Sequence, residues 1–330
     1  MDLQCYGKLP QKWKAAWMEF LAKEELTGGD DAEYTVMLTE DGEIQATGSR
    51  AGNILKYFAV APECRGEGLT AKVLTELQKD AFLQGMSHLF LYTKPKNRST
   101  FEGLRFSPVA ETADVLLMEN RARGVEEFLK RFPRAVEPGT GEIGAIVMNA
   151  DPFTLGHRYL VETAAGRCKH LYVFVLSENR GRVPAADRLE LVRRGTADLD
   201  NVTVYETGDY LISSATFPDY FLKKSTDGTA AQCELDCRVF AEHFAKHFGI
   251  TRRFAGSEPE SAVTESYNRQ MERCLPELGI GFTEIPRLMA ADGRPVSAGR
   301  VRNAWEQGRG EDYVNLVPET TYTYLKTGRL

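Results

Sequence analysis

The chain has no C-x-x-C pair among its six cysteines, no uninterrupted apolar stretch at its N-terminus, and no run near the roughly 18 apolar residues that span a bilayer. Each absence removes a class of function. Cys5, Cys64, Cys168, Cys233, Cys237 and Cys274 offer no zinc framework; only Cys233 and Cys237 stand close, as a reduced pair on one face of an expected helix. With neither leader nor span, the protein is expected to be cytoplasmic. Positive charge is not in excess either: a net charge of −6 argues against wrapping nucleic acid, although Arg193-Arg194 and Arg252-Arg253 could meet phosphates locally. Histidine is scarce, and the i,i+4 pair His243 and His247 lacks the Glu and third ligand of a zinc protease. There is no internal repeat and no low-complexity tract. What remains is an ordinary globular composition, 42% hydrophobic and 27% charged, in 330 residues, a length suited to two domains.

The two halves follow different patterns. In the first, a helix is expected around Trp13 to Leu26, then a hairpin of strands 34–39 and 44–49 turning at Asp41-Gly42, and a third strand over 54–60. A Gly-rich loop, Ala61 to Thr70, then runs into a helix with Val73, Leu74 and Leu77 on one face. Such a loop of N–H groups opening a helix can cradle a phosphate. In the second half, strands over 143–148, 171–176, 202–205, 253–255 and 280–285 alternate with helices over 185–198, 233–248, 263–275 and 298–307. That alternation predicts a parallel doubly wound sheet, with its ligand at the carboxyl ends of the strands. The domain boundaries expected are 1–118, a helix and linker over 119–141, and 142–330.

The richest stretch is Asn149 to Glu162, N-A-D-P-F-T-L-G-H-R-Y-L-V-E. It places Thr154, Gly156 and His157 between a buried strand and the first turn of a helix, where unpaired N–H groups and the helix dipole favour an anion. Gly156 lets backbone approach a phosphate closely, and His157 can donate to charge developing on phosphoryl oxygens. The stretch resembles the T/H-x-G-H signature of the nucleotidyltransferase superfamily, in its D-P-x-T-x-G-H form. The resemblance implies ATP as the nucleotide, attack on its α-phosphate with His157 and Thr154 as catalytic residues, and Asn149, Asp151 and Gly156 at the nucleotide.

Further elements follow in the order of that superfamily. The loop 177–182 and the helix carrying Asp187-Arg188 resemble its basic loop and E/D-R-x-x-[LM]-[LIV] helix, which implies Arg180, Arg182 and Arg188 as phosphate contacts. Pro295 to Arg302, P-V-S-A-G-R-V-R, is similar to its I-S-S/A-T-x-[IV]-R element, implying Ser297 and Arg302 at the ATP phosphates; Gly299 stands where Thr is usual. Mg²⁺ is expected to be carried mainly on the triphosphate, with no dedicated protein metal site.

In the first half, Arg65, Gly66 and Gly68 match the R-G-x-G loop of the GNAT acetyltransferases, and Phe101 to Phe106 is similar to a late element of that fold. Thr70 and Arg105 depart from the usual small residue and Gly, which favours a degenerate or repurposed domain over an active acetyltransferase. A GNAT-like α+β domain followed by a Rossmann-like nucleotidyltransferase domain, with Ile212 to Lys223 reading I-S-S-A-T-F-P-D-Y-F-L-K, resembles the [citrate (pro-3S)-lyase] ligase family over essentially the whole chain. This implies ATP-dependent acetylation, from acetate, of the thiol on the dephospho-CoA-derived prosthetic group of the citrate lyase acyl carrier subunit. Ser213, Ser214 and Thr216 would meet acetate or the thiol arm, and Arg65, Gly66 and Gly68 the pyrophosphate of that arm. Phe217, Tyr220 and Phe221 would wall the pocket or, being at helical spacing, belong to the core. A small-molecule adenylyltransferase with a regulatory first domain is the alternative, and a non-catalytic nucleotide or CoA sensor a third reading.

Overall fold

The computed structural model describes residues 1–27, 29–139, 141–178, 181–211, 220–222, 228–257 and 262–330. The chain divides into two compact units, Met1–Gly124 with Phe217–Ala231, and Val125–Thr216 with Gln232–Leu330.

In the first unit, β1 (Asp2–Tyr6), β2 (Tyr34–Glu40), β3 (Glu43–Ala51), β4 (Ile54–Val60), β5 (Phe90–Thr93), β6 (Ser107–Glu111) and β7 (Leu116–Glu119) form one sheet in the order β1-β2-β3-β4-β5-β7-β6. The β2–β3 hairpin turns through Asp41 and Gly42, both at positive φ, as a tight two-residue turn requires. Three helices accompany the sheet: α1 (Gln11–Lys23), α2 (Leu69–Leu83) and the short α3 (Arg98–Glu102). Helix α2 buries Leu69, Val73, Leu74 and Leu77 in a core shared with Val36, Leu55 and Leu91. Among the described strands of this sheet only β4 and β5 are parallel neighbours, pairing through Ile54 with Phe90 and Leu55 with Leu91. The sheet is therefore mixed, in keeping with the α+β domain expected for this half, with a gap where β4 and β5 part.

After α4 (Gly124–Leu129) come five parallel strands, β8 (Ile143–Met148), β9 (His170–Val175), β10 (Val202–Glu206), β11 (Arg252–Gly256) and β12 (Gly281–Ile285), in the order β10-β9-β8-β11-β12. Helices α5 (Leu155–Ala165), α6 (Ala185–Gly195), α7 (Gly228–Val239), α8 (Lys246–Phe248), α9 (Ala262–Glu277), α10 (Ala298–Glu306) and α11 (Glu319–Thr327) complete the described helices. Every residue of β9 is buried, which is why that strand reads as an almost unbroken apolar run. The chain starts at the central strand β8, builds outward to β10, then returns to add β11 and β12 on the other side. That reversal opens a crevice at the carboxyl ends of β8 and β11, the place where doubly wound sheets bind ligands.

One expected helix differs. The span 233–248 is not continuous α-helix: a π-helical turn, Phe240–Ala245, separates α7 from α8. Phe240, Phe244 and Phe248 are all fully buried. At 3.6 residues per turn an i, i+4, i+8 stripe drifts around the helix, and a wider turn offsets that drift.

The central strand is tightly packed at Gly144. A Cβ there would stand 2.8 Å from Phe254, 2.9 Å from the Cys168 sulfur and 3.0 Å from Leu171. Gly144→Ala should lower stability by about 1–3 kcal/mol in urea titrations, the usual cost of overpacking a core. An unchanged midpoint would mean that the strand has room to spare.

Candidate active site

The site begins with the cap of α5. Thr154, extended at φ −117° and ψ 168°, is the N-cap, and its hydroxyl accepts the N–H of His157 at 3.3 Å. The His157 ring turns back: its Nδ1 lies 3.1 Å from the Thr154 N–H and 2.9 Å from the Thr154 hydroxyl. A backbone N–H can only donate, so Nδ1 must accept, and the neutral imidazole carries its proton on Nε2. The Phe153 ring stacks alongside, with centroids 5.9 Å apart at 15°. Burial, reinforced by the charges of Arg287 and Arg302, pushes the His157 pKa down to about 4. The site thus presents an uncharged donor at neutral pH.

His157 lines a cavity of about 420 Å³ at the carboxyl ends of β8, β11 and β12. The structure brings seven of the expected residues to this wall: Asn149, Asp151, Thr154, Gly156, His157, Ser297 and Arg302. Ser297 caps α10, its hydroxyl accepting the Arg300 N–H at 3.3 Å, so the N-termini of α5 and α10 both open here. The two helix starts touch. A Cβ on Gly156 would come within 2.7 Å of the Val296 carbonyl oxygen, so glycine is required by protein backbone at that point. Arg302 donates to the Asp151 carbonyl and lies 3.8 Å from its carboxylate. That carboxylate accepts the N–H groups of Arg182 at 3.0 Å and Val183 at 2.8 Å, pinning the loop after β9.

Arg188 corrects the expectation that it contacts phosphate. It is fully buried, and its guanidinium donates to the carbonyls of Val183, Asn149 and Glu178 and to the Asn149 side chain. The group is a brace for two loops around the cavity. Arg182 lies outside the cavity wall, exposed, with its side chain 2.9 Å from Glu306. Arg180, Ser213, Ser214 and Thr216 fall outside the described residues.

Arg287 and Asn268 also line the cavity and were not singled out by the sequence, whereas Arg253, which lines it too, was one of the arginines expected to meet phosphate locally. Arg253 is held by Asp236 at 2.8 Å and lies 4.7 Å from the Phe240 ring centre. Asn268, buried, donates to the Gly256 carbonyl at 3.0 Å and to Glu284 at 2.6 Å. None belongs to a spaced motif: Arg287 follows the carboxyl end of β12, Arg253 lies near the start of β11, and Asn268 lies within α9.

The first unit holds a second cleft, of about 330 Å³, between the diverging ends of β4 and β5. Arg65 and Thr70 line it, as do Tyr220 and Phe221, which therefore wall this cleft and not the cavity beside His157. The Tyr220 hydroxyl donates to the Tyr92 carbonyl at 3.3 Å, and its ring lies 4.4 Å from that of Tyr57. Arg65 pairs with Glu24 at 2.6 Å. Gly66 and Gly68 adopt φ of +93° and +74°, with open space where a Cβ would sit, so their requirement is conformational.

Because the folded His157 pKa lies below the ordinary value near 6.5, the unfolded chain binds the extra proton between those two values. This contribution to stability is present above about pH 6.5 and is lost as pH falls towards 4. Urea titrations of wild type and His157→Gln should show the wild type losing ground to the variant over that window. A constant difference would mean that His157 titrates normally.

With this geometry in view, comparison with known proteins is informative. A family model for the "Citrate lyase ligase C-terminal domain" matches residues 143–325. A [citrate [pro-3S]-lyase] ligase of Klebsiella pneumoniae is 39% identical over 311 residues, covering 93% of this chain and 90% of that protein. One from Haemophilus influenzae is 37% identical, covering 97% of both chains. Among solved structures, Thermotoga maritima TmcAL bound with alpha-thio ATP aligns at 16% identity and a TM-score of 0.37, covering 56% of this chain and 55% of that one. Identity of this level over nearly the full length, together with the matched family model, shows that the chain belongs to the citrate lyase ligase family.

Proposed function

We propose that this protein uses ATP and acetate to acetylate the prosthetic-group thiol of the citrate lyase acyl carrier subunit, through acetyl-adenylate, releasing AMP and pyrophosphate and so activating the lyase. The observation that carries this reading is the neutral His157 Nε2–H, fixed by Thr154 at the opening of α5, in a cavity that also receives the start of α10.

In the first step a carboxylate oxygen of acetate attacks the α-phosphorus of ATP. The new O–P bond forms as the bond to the bridging oxygen breaks, and pyrophosphate leaves. No base is required, because acetate is already ionised at neutral pH. What the step needs is donors aimed at phosphoryl oxygens, where preorganised hydrogen bonds are strongest. His157, the N–H groups of α5 and α10, Ser297 and Arg302 have that chemistry. Arg182 can join them, since its exposed ion pair with Glu306 costs little to exchange for a phosphate. In the second step the carrier thiol, its proton passing to water, attacks the acyl carbon as the thiolate; the bond from carbon to the AMP oxygen breaks, and AMP leaves with that electron pair as the thioester forms.

Magnesium would screen the triphosphate. The ion would be carried mainly on the nucleotide's own phosphate oxygens, as Mg²⁺ usually is, and no step is routed through it. The cleft of the first unit suits the dephospho-CoA-derived arm, with Arg65 and the N–H groups at the start of α2 facing its pyrophosphate and Tyr220 and Phe221 beside its apolar length. Ser213, Ser214 and Thr216 are assigned to acetate or the thiol end from the family resemblance alone.

Pyrophosphate release from ATP should require acetate, and AMP should accumulate over many turnovers only with the thiol-form carrier. A dinucleotide product would point instead to a small-molecule adenylyltransferase, and ATP binding with no pyrophosphate to a sensor. His157→Ala should fold and lower kcat by about 10²–10³, the scale of one lost transition-state donor. Arg65→Ala should raise the apparent KM for the carrier and leave that for ATP unchanged; an unaltered carrier KM removes the arm from the first unit.

A further inference from the structure

Two anions must meet in the cavity beside His157, a polyphosphate and a carboxylate, and the imidazole there is uncharged. The positive charge has to come from elsewhere. Among the described residues three arginines line the wall: Arg253, paired with Asp236 at 2.8 Å; Arg302, placed 3.8 Å from the Asp151 carboxylate; and Arg287.

Arg287 follows Pro286 directly beyond the carboxyl end of β12. Its backbone N–H donates to the Ser257 hydroxyl at 3.2 Å, and its Nε donates to the Ser257 carbonyl at 2.7 Å, so one edge of the side chain is tied to the end of β11. One terminal nitrogen lies 3.5 Å from the Val296 carbonyl oxygen. Val296 precedes the cap of α10 and is the residue whose carbonyl sits over Gly156. The guanidinium is therefore held where the starts of α5 and α10 meet, by contacts that fix its plane before any ligand arrives. A fork preset in this way suits phosphoryl oxygens. Its charge is also one cause of the depressed His157 pKa, after burial.

We infer that Arg287 is a nucleotide-binding residue of this site, gripping the outer phosphates of ATP next to Ser297 and across the cavity wall from Arg302. This inference rests on the adenylation reading and adds to it a residue outside the motifs matched in the sequence. Its position beside the α10 cap, and not beside the strand end at Asn149, assigns it to the β- and γ-phosphates.

Isothermal titration of the full-length protein with ATP and with AMP tests it, using wild type, Arg287→Met and Arg287→Lys. Arg287→Met should weaken ATP binding by about 10- to 100-fold, the scale of a lost charge-assisted partner, while AMP binding changes by less than about twofold. Arg287→Lys should fall between, keeping the charge but losing the fork. Unchanged ATP affinity in Arg287→Met would overturn the inference, as would equal losses for ATP and AMP, which would mark Arg287 as a brace between β11, β12 and α10. If Arg287→Met does not fold, the same ATP-against-AMP contrast is read from Arg287→Lys. Failure of the wild type to bind ATP would sink the adenylation reading itself, whereas tight binding by wild type and variant alike would sink only the role of Arg287.

Discussion

Thr154 and His157 cap α5 by holding each other, hydroxyl to backbone N–H in one direction and backbone N–H to imidazole in the other. Because Nδ1 is spent on that cap, the ring has one orientation and one neutral tautomer, with Nε2–H left for the cavity it lines. A second pair of constraints depends on the same turn. The Val296 carbonyl approaches Gly156 so closely that no side chain fits, which sets α10 and its Ser297 cap against α5, and Arg287 reaches the same carbonyl. Two helix starts, each worth about half a positive charge, then face one space.

The parallel sheet supplies the platform. Its reversal at β8 and β11 leaves the loops at their carboxyl ends without a strand connection passing between them, and the buried Arg188 ties the Asn149 end of β8 to the loop after β9. Asp151 makes a matching tie through the N–H groups of Arg182 and Val183. Charged residues here perform two separate tasks: Arg188 and Asp151 stiffen the rim, and Arg287 and Arg302 face its interior.

Much of this was legible in the sequence because it depends on periodicity and local chemistry. The apolar runs of β8 and β9 and the Asp41-Gly42 turn are local patterns, and each lies where it was expected. The strands β1, β6 and β7 were not read, being short and defined by their neighbours more than by any alternation of their own. Arg188 misled because an arginine on a helix after a basic loop looks the same whether it faces a ligand or three carbonyl oxygens; burial decides, and burial is not local. Arg287 was invisible for the opposite reason. It sits in an irregular stretch, and its significance comes from Ser257 and Val296, which only the sheet brings near. The π turn at Phe240–Ala245 likewise accompanies three phenylalanines, four apart, that are all buried.

A histidine that is neutral, capped at Nδ1 and protonated at Nε2 is the premise on which the chemistry stands. Long-range ¹H–¹⁵N correlation of the imidazoles at pH 7, with His157 assigned by substitution, reports tautomer and charge in one spectrum. The account predicts a bare Nδ1 and a protonated Nε2 for His157. An Nδ1–H tautomer, or an imidazolium at that pH, would contradict it.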